Sequence, residues 1–206
     1  MFENRTEAGE RLAAELTERG LEADIVVAIP RGGLPIGRVV ADALEVSLDI
    51  VAAKKLGAPG NSELAIGAVA ADGTTWLNDD IVARFDLEEF QLADAIERER
   101  AGAQEKIDRY RGERPPLDLT GKRVVVVDDG VATGATTTAC LRSVRQCGPA
   151  RTILAVPVGP PRTIDRLERE ADDVICVETP MSFQAVGQFY ESFPQVSDEE
   201  AAAYLE

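Results

Sequence analysis

The sequence predicts an α/β fold: an open, mostly parallel sheet with helices on both faces and a small hairpin element beside it. Three observations predict it. Short runs of β-branched apolar residues recur along the chain, each is followed by a turn rich in small residues, and each turn leads into a stretch with helical spacing. Strands that are apolar on both faces need cover on both sides, which helices flanking a parallel sheet provide. The 206 residues, 45% of them hydrophobic, are enough for a substantial core.

The elements follow in order. Residues 1–20 mix Glu and Arg with Ala and Leu at helical spacing, which is neither a signal peptide nor a transit peptide. Residues 24–30 (DIVVAIP) read as a buried strand that stops at Pro30-Arg31-Gly32-Gly33. Residues 34–44 continue as a helix with Pro35 in the first turn, where a missing N–H costs nothing. Residues 48–53 (LDIVAA) give the next strand, ending in Lys54 and Lys55, and Gly57-Ala58-Pro59-Gly60 reads as a break that opens a polar loop. Residues 65–69 and 74–77 flank Ala71-Asp72-Gly73 as a hairpin. Residues 87–110 form a long charged helix with Phe90, Ala93, Ile96, Ala103, Ile107 and Tyr110 on its apolar side.

A connector over residues 111–121 (RGERPPLDLTG) follows. The Arg109, Arg111 and Arg114 cluster beside Pro115-Pro116 reads first as a solvated turn and second as a lid. Four valines at 124–127 then make a strand, residues 128–134 a loop, and residues 135–146 a helix closed by Gly148. Residues 151–156, 163–171 and 174–177 repeat the strand, helix, strand alternation. The tail gathers Phe183, Phe189, Tyr190 and Phe193 before a helix from Asp198, and local core is the favoured reading of those rings over stacking on a flat ligand.

Composition removes whole classes of mechanism. The chain has no histidine, so an imidazole base, an imidazole metal ligand and a Ser-His-Asp triad are excluded. With 22 basic against 37 acidic residues the formal charge is −15, which repels nucleic acid and anionic lipid. Lys54, Lys55, Lys106 and Lys122 are the lysines, leaving 18 arginines, and carboxylates are spread along the whole chain, a pattern expected of adaptation to a high-salt cytoplasm. Cys140, Cys147 and Cys176 show no CxxC spacing and cannot all pair. Together with the absence of any apolar run of membrane-spanning length, they predict a reduced, cytoplasmic protein.

The chemistry is concentrated in two loops. A strand ending in Asp128-Asp129, followed by Gly130-Val131-Ala132-Thr133-Gly134 and a helix starting at Ala135 and Thr136, puts carboxylates beside free backbone N–H groups. Amides of residues 131–136 and the hydroxyls of Thr133, Thr136 and Thr137 can surround a phosphate. Asp128 and Asp129 suit sugar hydroxyls or the waters of Mg²⁺. The loop carries no lysine and is not a Walker P-loop.

The stretch VVVVDDGVATGAT resembles the phosphoribosyl pyrophosphate (PRPP) motif of type I phosphoribosyltransferases, whose fold is Rossmann-like. Pro30-Arg31-Gly32-Gly33 resembles the pyrophosphate loop of that family, and Lys54-Lys55 its Arg-Lys segment, in the family's order along the chain. The resemblance implies one phosphoribosyltransferase domain over residues 1–206, with a core at about 24–178, an insertion at about 56–121 and a C-terminal hood at about 179–206. It implies Mg²⁺-dependent transfer of a 5-phosphoribosyl group from PRPP to a small nitrogenous acceptor, with release of pyrophosphate, as in purine or pyrimidine salvage; a homodimer is compatible with it. In that scheme Gly32, Gly33, Arg31 and Lys55 take the pyrophosphate with Mg²⁺, Gly130 to Thr136 take the 5′-phosphate, and Asp128 and Asp129 hold the ribose hydroxyls and, indirectly, the metal.

Two departures bear on the acceptor. Ala132 stands where enzymes of the family acting on 6-oxopurines usually carry an acid, which points away from hypoxanthine and guanine. The tail from Met181 to Tyr190 matches instead a poorly characterised bacterial and archaeal subgroup. The alternative is a PRPP-sensing regulator without significant transferase activity, a kind of protein the family also contains; the −15 charge disfavours a version that binds nucleic acid.

Overall fold

A computed structural model describes residues 1–58, 61–85 and 89–206, with the side chains of residues 61–63 and 89–91 outside the description. Pro59, Gly60, Leu87 and the Phe90 side chain, all used in the sequence reading, therefore lie outside the described residues. Helix α1 (Arg5–Glu18) starts at Asn4, whose side chain accepts from the Thr6 and Glu7 amides at 2.9 and 3.0 Å. Strand β1 (Ile25–Ala28), helix α2 (Gly33–Ala43) and strand β2 (Ser47–Ile50) form the first parallel unit. Strands β3 (Ala53–Ala58), β4 (Asn61–Ala70) and β5 (Thr75–Leu77) form a separate antiparallel sheet. Helices α3 (Asp79–Arg84) and α4 (Glu89–Arg111) lead back to the main sheet. There β6 (Arg123–Val127), α5 (Ala135–Gln146), β7 (Arg151–Val158), α6 (Pro161–Leu167) and β8 (Asp173–Glu178) alternate. A 3₁₀ turn (Val186–Phe189) and helix α7 (Asp198–Ala203) complete the chain.

The main sheet is parallel throughout, in the order β2-β1-β6-β7-β8. Both of its faces are covered. Val26, Ala28, Val125, Val127 and Ile153 pack with α1, α2 and the tail, while Val27, Val124, Val126 and Leu154 pack with α5, α6 and the antiparallel sheet. The order in which strands are added reverses between β1 and β6, and ligands of such sheets bind beyond the carboxyl ends of the strands at that point.

Four local readings need correction. Lys54, Lys55, Gly57 and Ala58 do not end a strand and open a loop; they lie within β3, whose pairing with β4 shifts register around Gly57 and so accommodates the glycine. Helix α3, capped by Asn78 with Asp79 and Asp80 in its first turn, was not expected. On α4 Ala93 is exposed, and Leu92 and Ala95 join the expected Ile96 in the apolar contact. The arginine cluster lies on an exposed turn, as first read, but Arg111 itself is not solvated. Arg111 holds Asp49 through two bonds of 2.7 and 3.1 Å, and Arg114 donates to the Leu48 carbonyl at 3.2 Å, which fastens the end of α4 to β2. Both partners of the Arg111–Asp49 pair are about nine-tenths buried, at 11% exposure each. Arg111→Ala is therefore expected to cost about 2 kcal/mol of stability by leaving Asp49 unpaired, measured by urea denaturation.

Candidate active site

The exits of β1 and β6 are tied together before any ligand is considered. Ile29 donates to the Val127 carbonyl at 2.8 Å, and the turn after it, which contains a cis Pro30–Arg31 peptide, closes with Gly33 donating to Ile29 at 3.0 Å. Glycine at 32 and 33 is required by what lies alongside. A Cβ on Gly32 would sit 1.9 Å from Oδ2 of Asp129, and one on Gly33 would sit 2.7 Å from the Val127 carbonyl oxygen. The structure thus brings Gly32 and Gly33 directly against the Asp128-Asp129 turn, joining the two loops that the sequence singled out separately.

The second loop is shaped from below by β7 and α6. Gly134 has a φ of +71°, a conformation glycine takes freely, and caps α5. The Val131 amide donates to Val158 at 2.9 Å, so it is already used and drops out of the expected phosphate donors. Ala132 and Thr133 are exposed, Ala135 opens α5 and Thr136 is half-buried. The amides at the start of that 12-residue helix have no intrahelical partner and point out of its N-terminus. Thr163 donates to the Ala132 carbonyl at 2.8 Å and Arg166 to the Thr133 carbonyl, which holds both carbonyls against α6. Arg166 in turn lies over the Trp76 ring at 5.5 Å. Arg166→Ala is expected to weaken ribose 5-phosphate binding about five- to tenfold by loosening this brace, with a stability change under about 1 kcal/mol; isothermal titration calorimetry reads the first and thermal melting the second.

The two carboxylates have different surroundings. Asp129 pairs with Arg5 of α1 through Nε and Nη2, both at 2.9 Å from Oδ2. Arg5 is fixed in turn by the Pro194 carbonyl at 2.6 Å and the Phe193 ring at 3.8 Å. Tyr190 donates to the Asp129 carbonyl at 2.6 Å, and burial pushes its own hydroxyl well up. The Asp128 side chain accepts from the Asp129 amide at 2.8 Å. Burial, and then the neighbouring Asp129 carboxylate, raise Asp128 well above the usual carboxylate range; burial raises Asp129 as well, against the opposing pull of Arg5. Such a desolvated acidic pair is short of positive charge.

That shortage suits a hydrated Mg²⁺ and ribose hydroxyls, both of which donate toward carboxylates. No group of three or more Asp, Glu or Cys side chains able to hold a metal ion exists among the described residues. The donor set fits a hydrated Mg²⁺, whose waters Asp128 and Asp129 would accept from if the ion were held there.

Arg31 projects from its loop toward the tail, where its Nη1 lies 3.3 Å from Oδ1 of Asp198. Asp198 also accepts from Arg109 at 2.6 Å and from the Tyr110 hydroxyl. Lys54 faces α4 and pairs with Glu99 at 3.2 Å, whereas Lys55, one residue on, is exposed on the alternate face of β3. The tail aromatics pack mainly on one another. Phe183 meets Phe189 at 5.0 Å, Tyr190 meets Phe193 at 4.8 Å, and buried Phe2 meets Tyr190 at 5.3 Å.

Arg5, Thr163, Arg166 and Asp198 shape the site without any expectation from sequence, and Tyr190, weighed there only as core or as a stacking ring, acts through its hydroxyl. Arg5 and Asp129 are 124 residues apart, and only tertiary packing joins them. Nothing in the local pattern of α1 distinguishes Arg5 from an ordinary surface charge. No helix among the described residues is long and apolar enough to cross a membrane.

A parallel sheet with two small-residue turns meeting at its switch point, one of them opening a helix N-terminus, is the architecture of an α/β protein with a crevice at the β1/β6 strand ends. The chain belongs to the phosphoribosyl transferase domain family, whose model matches residues 2–192. It is 42% identical over 207 residues to "Putative phosphoribosyl transferase Rv0571c" of Mycobacterium tuberculosis (strain ATCC 25618 / H37Rv), in a match covering 100% of this chain and 46% of that protein. A second Mycobacterium tuberculosis protein (strain CDC 1551 / Oshkosh), "Putative phosphoribosyl transferase MT0597", matches with the same identity and coverage. The chain thus spans about half the length of these curated relatives. The crystal structure of TT1426 from Thermus thermophilus superposes with a TM-score of 0.83 at 41% identity, covering 99% of this chain and 97% of that one. The AQ2163 protein from Aquifex aeolicus, at 16% identity and a TM-score of 0.54 over 89% of this chain and 76% of that one, shares the fold.

Proposed function

We propose that the chain binds PRPP with Mg²⁺ across the β1/β6 crevice and transfers its 5-phosphoribosyl group to a nitrogen acceptor, releasing pyrophosphate. The observation that carries this reading is the contact of Gly32 with Asp129, which makes one continuous site of a phosphate cradle, a diol-binding acid pair and a glycine loop. The amides of residues 132–136 take the 5′-phosphate at the α5 N-terminus. Asp128 and Asp129 accept from the ribose 2′ and 3′ hydroxyls, fix the position of C1 and place negative charge near the cation that develops there. The Arg31 to Gly33 loop receives the leaving pyrophosphate, with the β3 lysine that faces α4, Lys54, in place of the expected Lys55, which lies on the alternate face. Mg²⁺, when bound, neutralises the pyrophosphate oxygens. The attacking nitrogen displaces pyrophosphate at C1, so one C–N bond forms as one C–O bond breaks, the proton of that nitrogen passes to solvent water, and alignment with charge stabilisation carries the step. No imidazole is needed, in keeping with a chain that has none.

A nucleobase is the proposed acceptor, with Ala132 favouring adenine or a pyrimidine over a 6-oxopurine. Pyrophosphate release should be assayed with PRPP, Mg²⁺ and a panel of nucleobases, and release above background with at least one base is expected. Binding of PRPP without release for any base would instead support the sensor reading.

A further inference from the structure

We infer that Lys106, on helix α4, is a further binding residue for the pyrophosphate end of the ligand, reaching it from beside Arg31 of the glycine loop. This rests on the PRPP reading above and adds a residue to it from an element outside the parallel core.

The geometry is that of one helix face. Gly102, Lys106 and Tyr110 recur every fourth residue, so they lie in line on α4, about 6 Å apart along its axis. At the first of these positions the Lys54 ammonium packs so closely that a Cβ on Gly102 would be 2.7 Å from its Nζ. At the last, buried Tyr110 donates to Asp198, the same carboxylate that lies 3.3 Å from Arg31. Lys106 therefore stands between Lys54 and Arg31. Lys106 of α4, Lys54 of β3 and Arg31 of the glycine loop thus form one cluster of three cations.

Their partners are unequal. Lys54 has Glu99 and Arg31 has Asp198, but no carboxylate lies within ion-pair distance of Lys106 among the described residues. Lys106 is nonetheless half-buried, where an ordinary surface lysine would extend its ammonium into water. Burial, followed by the fields of Lys54 and Arg31, lowers its affinity for a proton below that of a free lysine. A half-buried cation pressed against two others is unfavourable until an anion arrives. Asp198, which accepts from Arg31, Arg109 and Tyr110 at the end of this row, already places one negative group there. A ligand group with several negative oxygens would engage all three cations at once, as a pyrophosphate can.

The test titrates the full chain with inorganic pyrophosphate and, separately, with ribose 5-phosphate, each with Mg²⁺, by isothermal titration calorimetry. Lys106→Gln is expected to weaken pyrophosphate binding about ten- to a hundredfold and to leave ribose 5-phosphate binding within about twofold, because the α5 cradle is untouched. Lys106→Arg, which keeps the charge, should retain most of the affinity. The unliganded melting temperature of Lys106→Gln should not fall, since the substitution removes a repulsion. Pyrophosphate binding equal to wild type in Lys106→Gln would overturn the inference, as would equal losses for both ligands, the mark of a structural role. Failure of the wild-type chain to bind either ligand would instead overturn the PRPP reading itself.

Discussion

Replacing Asp128 and Asp129 together by Asn is expected to abolish the stabilisation that PRPP and Mg²⁺ confer. In the wild-type chain a ligand at a hundred times its dissociation constant adds about 2.7 kcal/mol, a rise of roughly 5–10 °C in melting temperature. The double substitution removes two charged acceptors for the ribose hydroxyls and the negative field that holds the metal's waters, a loss of about a hundredfold or more in affinity. The single substitutions separate binding from stability. The raised Asp128 carboxyl favours the folded state below its ordinary range, and that contribution is lost as pH rises through the raised value. At neutral pH, Asp128→Asn removes this cost and should raise the unliganded melting temperature by about 2–4 °C if roughly 1 kcal/mol is recovered. Asp129→Asn should lower it, because Arg5, at 10% exposure, loses its carboxylate. Differential scanning fluorimetry from acid to neutral pH, with and without ligand, reads all of these effects, and a fall in the unliganded melting temperature of Asp128→Asn would contradict the charge argument.

Gly32→Ala is the second large effect. The added methyl would lie 1.9 Å from Asp129 Oδ2 and 2.4 Å from its Cγ, so either the loop or the carboxylate must move. Asp129 is not free to give way, since Arg5 holds its side chain and Tyr190 its carbonyl. The expected result is loss of PRPP binding by about a hundredfold or more, with about 2 kcal/mol of stability, even though the substitution adds one carbon and no charge. A double-mutant cycle tests the cause. In an Asp129→Ala background the clash is gone, so the stability cost of Gly32→Ala should largely disappear. Full additivity of the two substitutions would place the damage elsewhere.

These effects centre on parts of the molecule whose local structure can be read from sequence. The run from Val124 to Gln146 behaves as its residues dictate: valines make β6, Gly134 permits the turn, and α5 runs from Ala135 to Gln146. The glycine turn after β1 is equally local. Reading failed where local signals are outweighed by pairing. Gly57 and Ala58 look like strand breakers, yet β4 supplies a partner and irregular register absorbs them. Asn78 with two following aspartates was a helix-start signal that the hairpin before it obscured. The contacts that tune the site, Arg5 to Asp129, Tyr190 to the same turn and Asp198 to Arg31, join residues more than 60 positions apart. They arise because α1 and the tail share the sheet face beneath the β1/β6 exits, an arrangement that no periodicity in the sequence encodes.

The charge of −15 acquires a structural meaning from the same geometry. In the proposed site a trianionic or more highly charged ligand would be repelled by most of the surface and met by Arg31, Lys54 and Lys106 at one end and by backbone amides at the other. Binding should therefore strengthen with Mg²⁺, and it should need both ends of the ligand.

Competition against PRPP tests that claim most directly. With PRPP bound to the wild-type chain in the presence of Mg²⁺, equilibrium dialysis should find it displaced by ribose 5-phosphate alone and by pyrophosphate alone, because each fills one of the two joined loops. Absence of PRPP binding at millimolar concentration, or displacement by one fragment and not the other, would contradict a single site spanning the β1 and β6 turns.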